Sequence, residues 1–356
     1  MAELRAGIIG YGLAGAVFHA PLIASTPGMR VAAIVTGDAE RQARARRDFP
    51  SAAVYTTAQE LLADPSALDL VVVAAPNRAH LSLSLAVLDA GLPVVVDKPL
   101  APSIAAGEEL IAAAERSGMP LTVFQNRRWD NDFLTARRLI TADLLGPVVR
   151  FESRYERFRP APKPGAWRER PDPEEAGGLL FDLGAHLIDQ ALLLFGPPVS
   201  VYAEVETRRP GALVDDDVFV ALRFAGGQEA HLWMSALPRL LGPRLRVVGL
   251  RGVYEKHGMD PQEDALRRGE RPGGAAWGRD PREVWGRLAT ETGGVAFDGR
   301  VETLPGSYEA FYAALRDALA SGGPLPVDPR DALAVLRVIA AARESARLGA
   351  PISPAM

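Results

Sequence analysis

A chain of 356 residues, 48% of them hydrophobic, is longer than a single core usually grows, so two domains are expected and general disorder is not. With 40 basic against 44 acidic side chains and a net charge of -4, no sequence-wide attraction to nucleic acid or anionic lipid is expected. The absence of cysteine removes disulfides, thiolate metal sites and cysteine nucleophiles, and fits a reducing compartment.

The start, Met1-Ala2-Glu3-Leu4-Arg5, has no basic stretch followed by a long apolar one, and no apolar run is read as reaching membrane-spanning length. A cytoplasmic location is therefore expected. Only three of the basic residues are lysines, Lys98, Lys163 and Lys256, so positive charge is otherwise written as arginine. A lysine kept in such a background can serve as an amine able to lose its proton, which arginine cannot.

Short apolar runs at 6–9, 31–35, 70–74, 94–96 and 121–124 alternate with helical patterns at 14–25, 40–48, 79–90 and 103–117. This is the pattern of a parallel sheet covered by helices on both faces. Between the first strand and first helix lies Gly10-Tyr11-Gly12-Leu13-Ala14-Gly15, a Gly-x-Gly-x-x-Gly in the strand-to-helix context that gives the pattern meaning. Gly10 permits the tight turn, Gly12 lets backbone approach a pyrophosphate, Gly15 lets helix and strand pack, and Leu13 lies at the helix start. A ligand-free glycine turn is the competing reading.

After the second strand, Val35-Thr36-Gly37-Asp38-Ala39-Glu40-Arg41 offers both kinds of ribose recognition. A carboxylate at Asp38 would accept from a 2′-hydroxyl and favour NAD; Thr36 with Arg41 would suit a 2′-phosphate. Asp38 reads equally as a helix cap. Ala75-Pro76-Asn77-Arg78-Ala79-His80 and Asp97-Lys98-Pro99 follow later strands, at carboxyl ends where open α/β sheets bind ligands, which marks Pro76, Asn77, His80 and Lys98 for the cofactor. A solvated surface charge is the alternative for Lys98.

Beyond Asn126 the rhythm changes. Arg127-Arg128-Trp129-Asp130-Asn131-Asp132 mixes an aromatic face with polar groups, a combination suited to a sugar or cyclitol, or else to a salt-bridge cluster. A helix at 133–140, an extended run at 148–158 and a Pro-rich loop at 160–173 follow. The segment 177–189 then places Asp182, His186 and Asp189 four and three residues apart, an imidazole between two carboxylates on one helix face. Such a group suits proton transfer, although a buried histidine satisfied by Asp189, or a cap at Asp182, reads as well. No second histidine lies nearby, so no metal is expected. Alternating runs at 201–207, 219–224, 229–235 and 245–248 read as an antiparallel sheet, 269–280 as a surface loop, and 308–320 and 330–348 as closing helices. The fold class is α/β: an N-terminal Rossmann domain over 1–124, then a C-terminal α+β domain over 125–356 on a largely antiparallel open sheet.

The glycine loop, the Asp97-Lys98-Pro99 triplet in the position of a Glu-Lys-Pro, and the 177–186 segment together resemble the Gfo/Idh/MocA oxidoreductases over essentially the whole chain. The stretches 126–134, 260–266 and Trp277-Gly278 look like the branch containing NADP-dependent scyllo-inositol dehydrogenases. The resemblance implies catalysis at the cleft between the domains by Lys98, Asp182 and His186. There His186 takes the hydroxyl proton, Lys98 polarises that oxygen and Asp182 orients its partners, with Arg127, Arg128 and Trp129 toward the substrate. It implies NADP, with NAD left open by Asp38, a polyol or sugar substrate, and a homodimer or homotetramer joined through the C-terminal sheet. A reductase of another carbonyl or conjugated substrate, and a dinucleotide-binding regulator without turnover, remain the alternatives.

Overall fold

The computed structural model describes residues 3–163 and 165–356. Met1 and Ala2, which carry the amino-terminal reading, and Pro164 of the Pro-rich loop lie outside the described residues. The chain divides into two compact units. The first runs to Asn126 and takes in Gln262–Trp277 and Ser307–Leu333; the second comprises Arg127–Pro261, Gly278–Gly306 and Ala334–Met356. The break at 126/127 lies beside the expected boundary, but two later segments return to the first unit, which a division into 1–124 and 125–356 omits. Their attachment has a physical cause. Phe124 at the end of the sheet stacks edge-on against Phe311 (5.0 Å), and Thr122 Oγ1 donates to the Val327 carbonyl (2.8 Å).

The first unit holds six parallel strands: β1 (Leu4–Ile9), β2 (Met29–Val35), β3 (Ala53–Tyr55), β4 (Leu70–Val73), β5 (Val94–Val96) and β6 (Leu121–Val123), in the order β3-β2-β1-β4-β5-β6. β4 and β5 are buried at every residue, as strands covered on both faces must be. The sequence pattern missed β3, which has three residues and sits at the sheet edge. The strand order changes direction between β1 and β4, and the glycine loop lies at that switch point. The helix Ile104–Ser117 ends on Gly118 with φ 69°, the left-handed closure its Ser-Gly-Met-Pro signal predicts.

The second unit contains an eight-stranded sheet of order β14-β13-β12-β11-β7-β10-β9-β8. Its strands are β7 (Val148–Glu156), β8 (Pro198–Glu206), β9 (Asp217–Phe224), β10 (Glu229–Ser235), β11 (Leu245–Gly249), β12 (Gly252–Lys256), β13 (Arg287–Thr292) and β14 (Val295–Arg300). All neighbours pair antiparallel except β7 with β10. Period-2 burial along β9 and β10 turns one face inward against the helix Ala185–Phe195. β12 to β14 escaped the sequence reading because their mixed, partly exposed residues lack a strong apolar alternation.

One stretch corrects an expectation. Pro173–Phe195 is long and apolar enough to cross a membrane by length and composition, but 67% of its apolar window is buried inside the protein. It also carries Asp182, His186 and Asp189, groups costly to place in lipid. Its packing is that of a core helix.

Candidate functional site

The glycine loop has the geometry of a phosphate cradle. Gly10 has φ 103°, and a Cβ there would lie 2.3 Å from the Ala74 carbonyl oxygen; one on Gly15 would lie 2.0 Å from the Gly10 carbonyl oxygen. Both positions demand glycine for packing. Gly12 differs, because a Cβ there would meet only Arg41 Nη1, at 3.8 Å. Its missing side chain leaves room for a ligand while no protein atom fills the space. Leu13 is exposed at the start of a helix that opens as a π-helical turn, Ala14–His19, and continues as Ala20–Ser25. Orphan N–H groups at such a start are the partners a pyrophosphate uses. The residues present therefore fit a dinucleotide.

The residues after β2 have defined partners. Asp38 caps the helix Ala39–Asp48, its carboxylate accepting from the Arg41 N–H at 2.8 Å. Thr36 is buried at the end of β2, its carbonyl accepting from Gln42 Nε2 at 2.9 Å, and the Arg41 guanidinium lies beside Gly12. The Arg41 guanidinium thus lies beside the cradle, and the Asp38 carboxylate caps the helix.

Asn77 and His80 are buried and Pro76 precedes them in the turn after β4. His80 is not aimed at open space. Its Nδ1 lies 2.8 Å from the Pro99 carbonyl and its Nε2 3.0 Å from the Ala75 carbonyl, so the ring bridges the ends of β4 and β5. Burial pushes its imidazolium form down in spite of the nearby Asp97. Through both ring nitrogens His80 braces the loop that carries Lys98. The Lys98 N–H donates to the Asp97 carboxylate at 2.9 Å, and Asp97 is held below the usual carboxylate range by His19, His80 and Lys98, which outweigh burial.

In the second unit, Asp182 and His186 sit where a π-helical turn, Leu180–Gly184, meets the helix Ala185–Phe195. π turns are frequent at functional sites, and this one breaks the even helical spacing that the sequence implied. Asp182 is not a cap: Asp215 accepts from the Leu180 N–H at 2.7 Å instead. Gly178, with φ 92°, is required beside it, since a Cβ would lie 2.1 Å from Asp215 Oδ1. Asp215 was missed by the sequence reading, its only signal being the Asp-Asp-Asp run at 215–217. Burial pushes its carboxyl up. Asp182 lines a pocket with Arg168, Arg209 and Asp215, and its carboxylate lies 4.0 Å from Arg168 Nε.

Asp189 is held by an arginine in the same unit. Arg128 grips it through two N–H donors at 2.8 and 2.7 Å, both side chains being buried. Arg127 lies over the Tyr155 ring at 5.0 Å, and its carbonyl accepts from Gln190 Nε2 at 2.7 Å. Asp132 pairs with Arg244 at 3.1 Å. The 127–132 segment thus takes part in a buried ion network around Arg128, Asp189, Asp132 and Arg244, and Trp129 is half-buried. Lys98 belongs to the first unit, Asp182 and His186 to the second. Among the described residues no group of three His, Asp or Glu is arranged to hold a metal.

Residues 4–125 match the oxidoreductase family NAD-binding Rossmann fold of Gfo/Idh/MocA proteins, and 137–353 match the family's C-terminal alpha/beta domain. The chain is 41% identical to the oxidoreductase YdgJ of Escherichia coli, covering 97% of each. It is 38% identical to scyllo-inositol 2-dehydrogenase (NADP(+)) IolW of Bacillus subtilis, over 97% of this chain and 94% of that one. The solved structure of the oxidoreductase yvaA from Bacillus subtilis superposes with a TM-score of 0.93 at 37% identity, covering 99% and 98% of the two chains. The Rossmann sheet, its glycine cradle and the two-domain match meet in one conclusion: the chain belongs to the Gfo/Idh/MocA oxidoreductases, with an NAD-binding Rossmann domain and an α/β C-terminal domain.

Proposed function

We propose that this protein is an NADP-dependent dehydrogenase interconverting a hydroxyl and a keto group on one carbon of a cyclitol or sugar, with scyllo-inositol as the reference substrate. The observation that carries the cofactor choice is the Arg41 guanidinium beside the open side of Gly12, with Asp38 engaged in capping. A guanidinium there can pair with a 2′-phosphate, and the carboxylate that would repel it is engaged with the helix. IolW, a relative over nearly the whole chain, bears the same cofactor and substrate class in its name.

When bound, the nicotinamide accepts or returns the hydride. The protein's own residues handle the proton. His186 takes it from the reacting hydroxyl, Lys98 polarises that oxygen, and Asp182, exposed to its pocket, orients the groups around it. A homodimer or homotetramer is part of the same reading. On one face of the eight-stranded sheet, Phe219 packs beside Trp233 (5.2 Å) and the Arg154 guanidinium covers that indole at 3.8 Å, leaving half-buried aromatic surface suited to a second copy.

The test is incubation with NADP and, separately, NAD across a panel of inositols and aldoses, followed by nicotinamide absorbance, with light scattering for the assembly. Turnover of a polyol with NADP preferred supports the reading. Tight dinucleotide binding with no turnover across the panel would point to a regulator instead.

A further inference from the structure

Five histidines occur in the chain, and His19 is the one buried completely without a place in the reaction above. It lies at the end of the π-helical turn Ala14–His19, with its ring 4.4 Å from Phe124. Its Nδ1 is 2.5 Å from the hydroxyl of Tyr312, in the helix Glu309–Ser321. Its Nε2 has no hydrogen-bond partner and points at the Asp97 carboxylate, 3.8 Å away. The same carboxylate accepts from the Lys98 main-chain N–H at 2.9 Å. Tyr312, His19, Asp97 and Lys98 therefore line up inside the first unit, with one gap of 3.8 Å between His19 and Asp97.

The chemistry gives this chain a direction. Burial and the nearby Asp97 push the Tyr312 phenol well above its ordinary range, so it stays protonated and donates. A neutral imidazole carries one N–H, so accepting at Nδ1 places the proton on Nε2, facing Asp97. The groups facing Asp97 are then His19, His80 and Lys98. A buried polar atom without a partner is costly, and an N–H aimed at a carboxylate recovers that cost when the gap closes by a few tenths of an ångström.

We infer that His19, oriented by Tyr312, is a positioning residue that fixes the Asp97 carboxylate and through it the main chain carrying Lys98. This rests on the reading of Lys98 as the group that polarises the reacting oxygen. His80 braces the other side of the triplet through Pro99. Sequence inspection gave no sign of the relay, because Tyr312 lies 293 residues from His19.

The test compares His19→Leu, His19→Gln and Tyr312→Phe in the NADP-loaded protein. Leucine removes the donor; glutamine can still present an N–H to Asp97. His19→Leu should lower kcat about tenfold while KM for NADP stays within about twofold, and His19→Gln should recover at least half of the wild-type kcat, the scale of one lost charge-assisted hydrogen bond. A second readout needs no turnover. Trace acetylation followed by mass spectrometry gives the labelling of Lys98 relative to Lys163. That ratio should rise about threefold in His19→Leu and return in His19→Gln, as a released anchor frees the lysine. Thr122→Val, which removes a buried hydrogen bond of the same unit, should lower Tm without moving the ratio.

Equal behaviour of His19→Leu and His19→Gln, or an unmoved Lys98 ratio in His19→Leu, would overturn the inference. If the leucine variant does not fold, Tyr312→Phe decides by the same ratio, a rise supporting the relay and no change overturning it. If no polyol is turned over yet the ratio follows His19, the relay stands and the proposed reaction fails.

Discussion

Arg128 holds Asp189 with a two-pronged hydrogen bond inside the second unit, both side chains being buried. Breaking a buried pair from one side leaves an uncompensated charge. Arg128→Met should therefore destabilise the protein by about 3–5 kcal/mol in denaturant titration. A substrate-contacting arginine would instead leave stability nearly unchanged and raise KM.

Two glycines of the loop make separable predictions. Gly15→Ala forces a Cβ to 2.0 Å from the Gly10 carbonyl and should lower Tm strongly, whereas Gly12→Ala meets only Arg41 Nη1 at 3.8 Å and should keep the wild-type Tm. The Gly12 variant should nonetheless bind NADP at least about tenfold more weakly, because its methyl group occupies the space for the pyrophosphate. Fluorescence titration with NADPH and a melting curve on both variants check the split.

Cofactor preference should follow Arg41 rather than Asp38. Arg41→Ala should raise KM for NADP about tenfold with little effect on NAD, the scale of one charge-assisted hydrogen bond. Asp38→Ala removes the cap on the Arg41 N–H and should cost about 1 kcal/mol of stability without converting the enzyme to NAD. A gain in NADP use on removing Asp38 would show that its carboxylate faces the ribose instead.

His80 should mark the acid side of the stability curve. Its folded-state proton affinity is pushed below the ordinary 6.5 by burial, so the folded protein resists a proton that the unfolded chain accepts. The contribution is complete above about pH 6.5 and is lost as pH falls toward the depressed folded value. His80→Gln should accordingly show a smaller loss of Tm between about pH 7.5 and 5.5 than wild type.

The parallel sheet was legible because β4 and β5 are unbroken valine-rich runs, and the cradle because glycines stand where backbone must approach backbone. The network around Arg128 was not, since its residues are 61 apart and their types suit sugar binding equally well. The π turn at Leu180–Gly184 was also hidden, because a single extra residue per turn leaves no composition signal. Return of 307–333 to the first unit depends on contacts such as Phe311 with Phe124, visible only once the sheet is built.

The most direct test of the account is Lys98→Ala, assayed side by side for NADP binding and for oxidation of the best polyol. The account predicts that kcat falls by about 10²–10⁴, the usual contribution of a positioned proton-handling group, while NADP binding changes only slightly. Wild-type kcat in the alanine variant would contradict it.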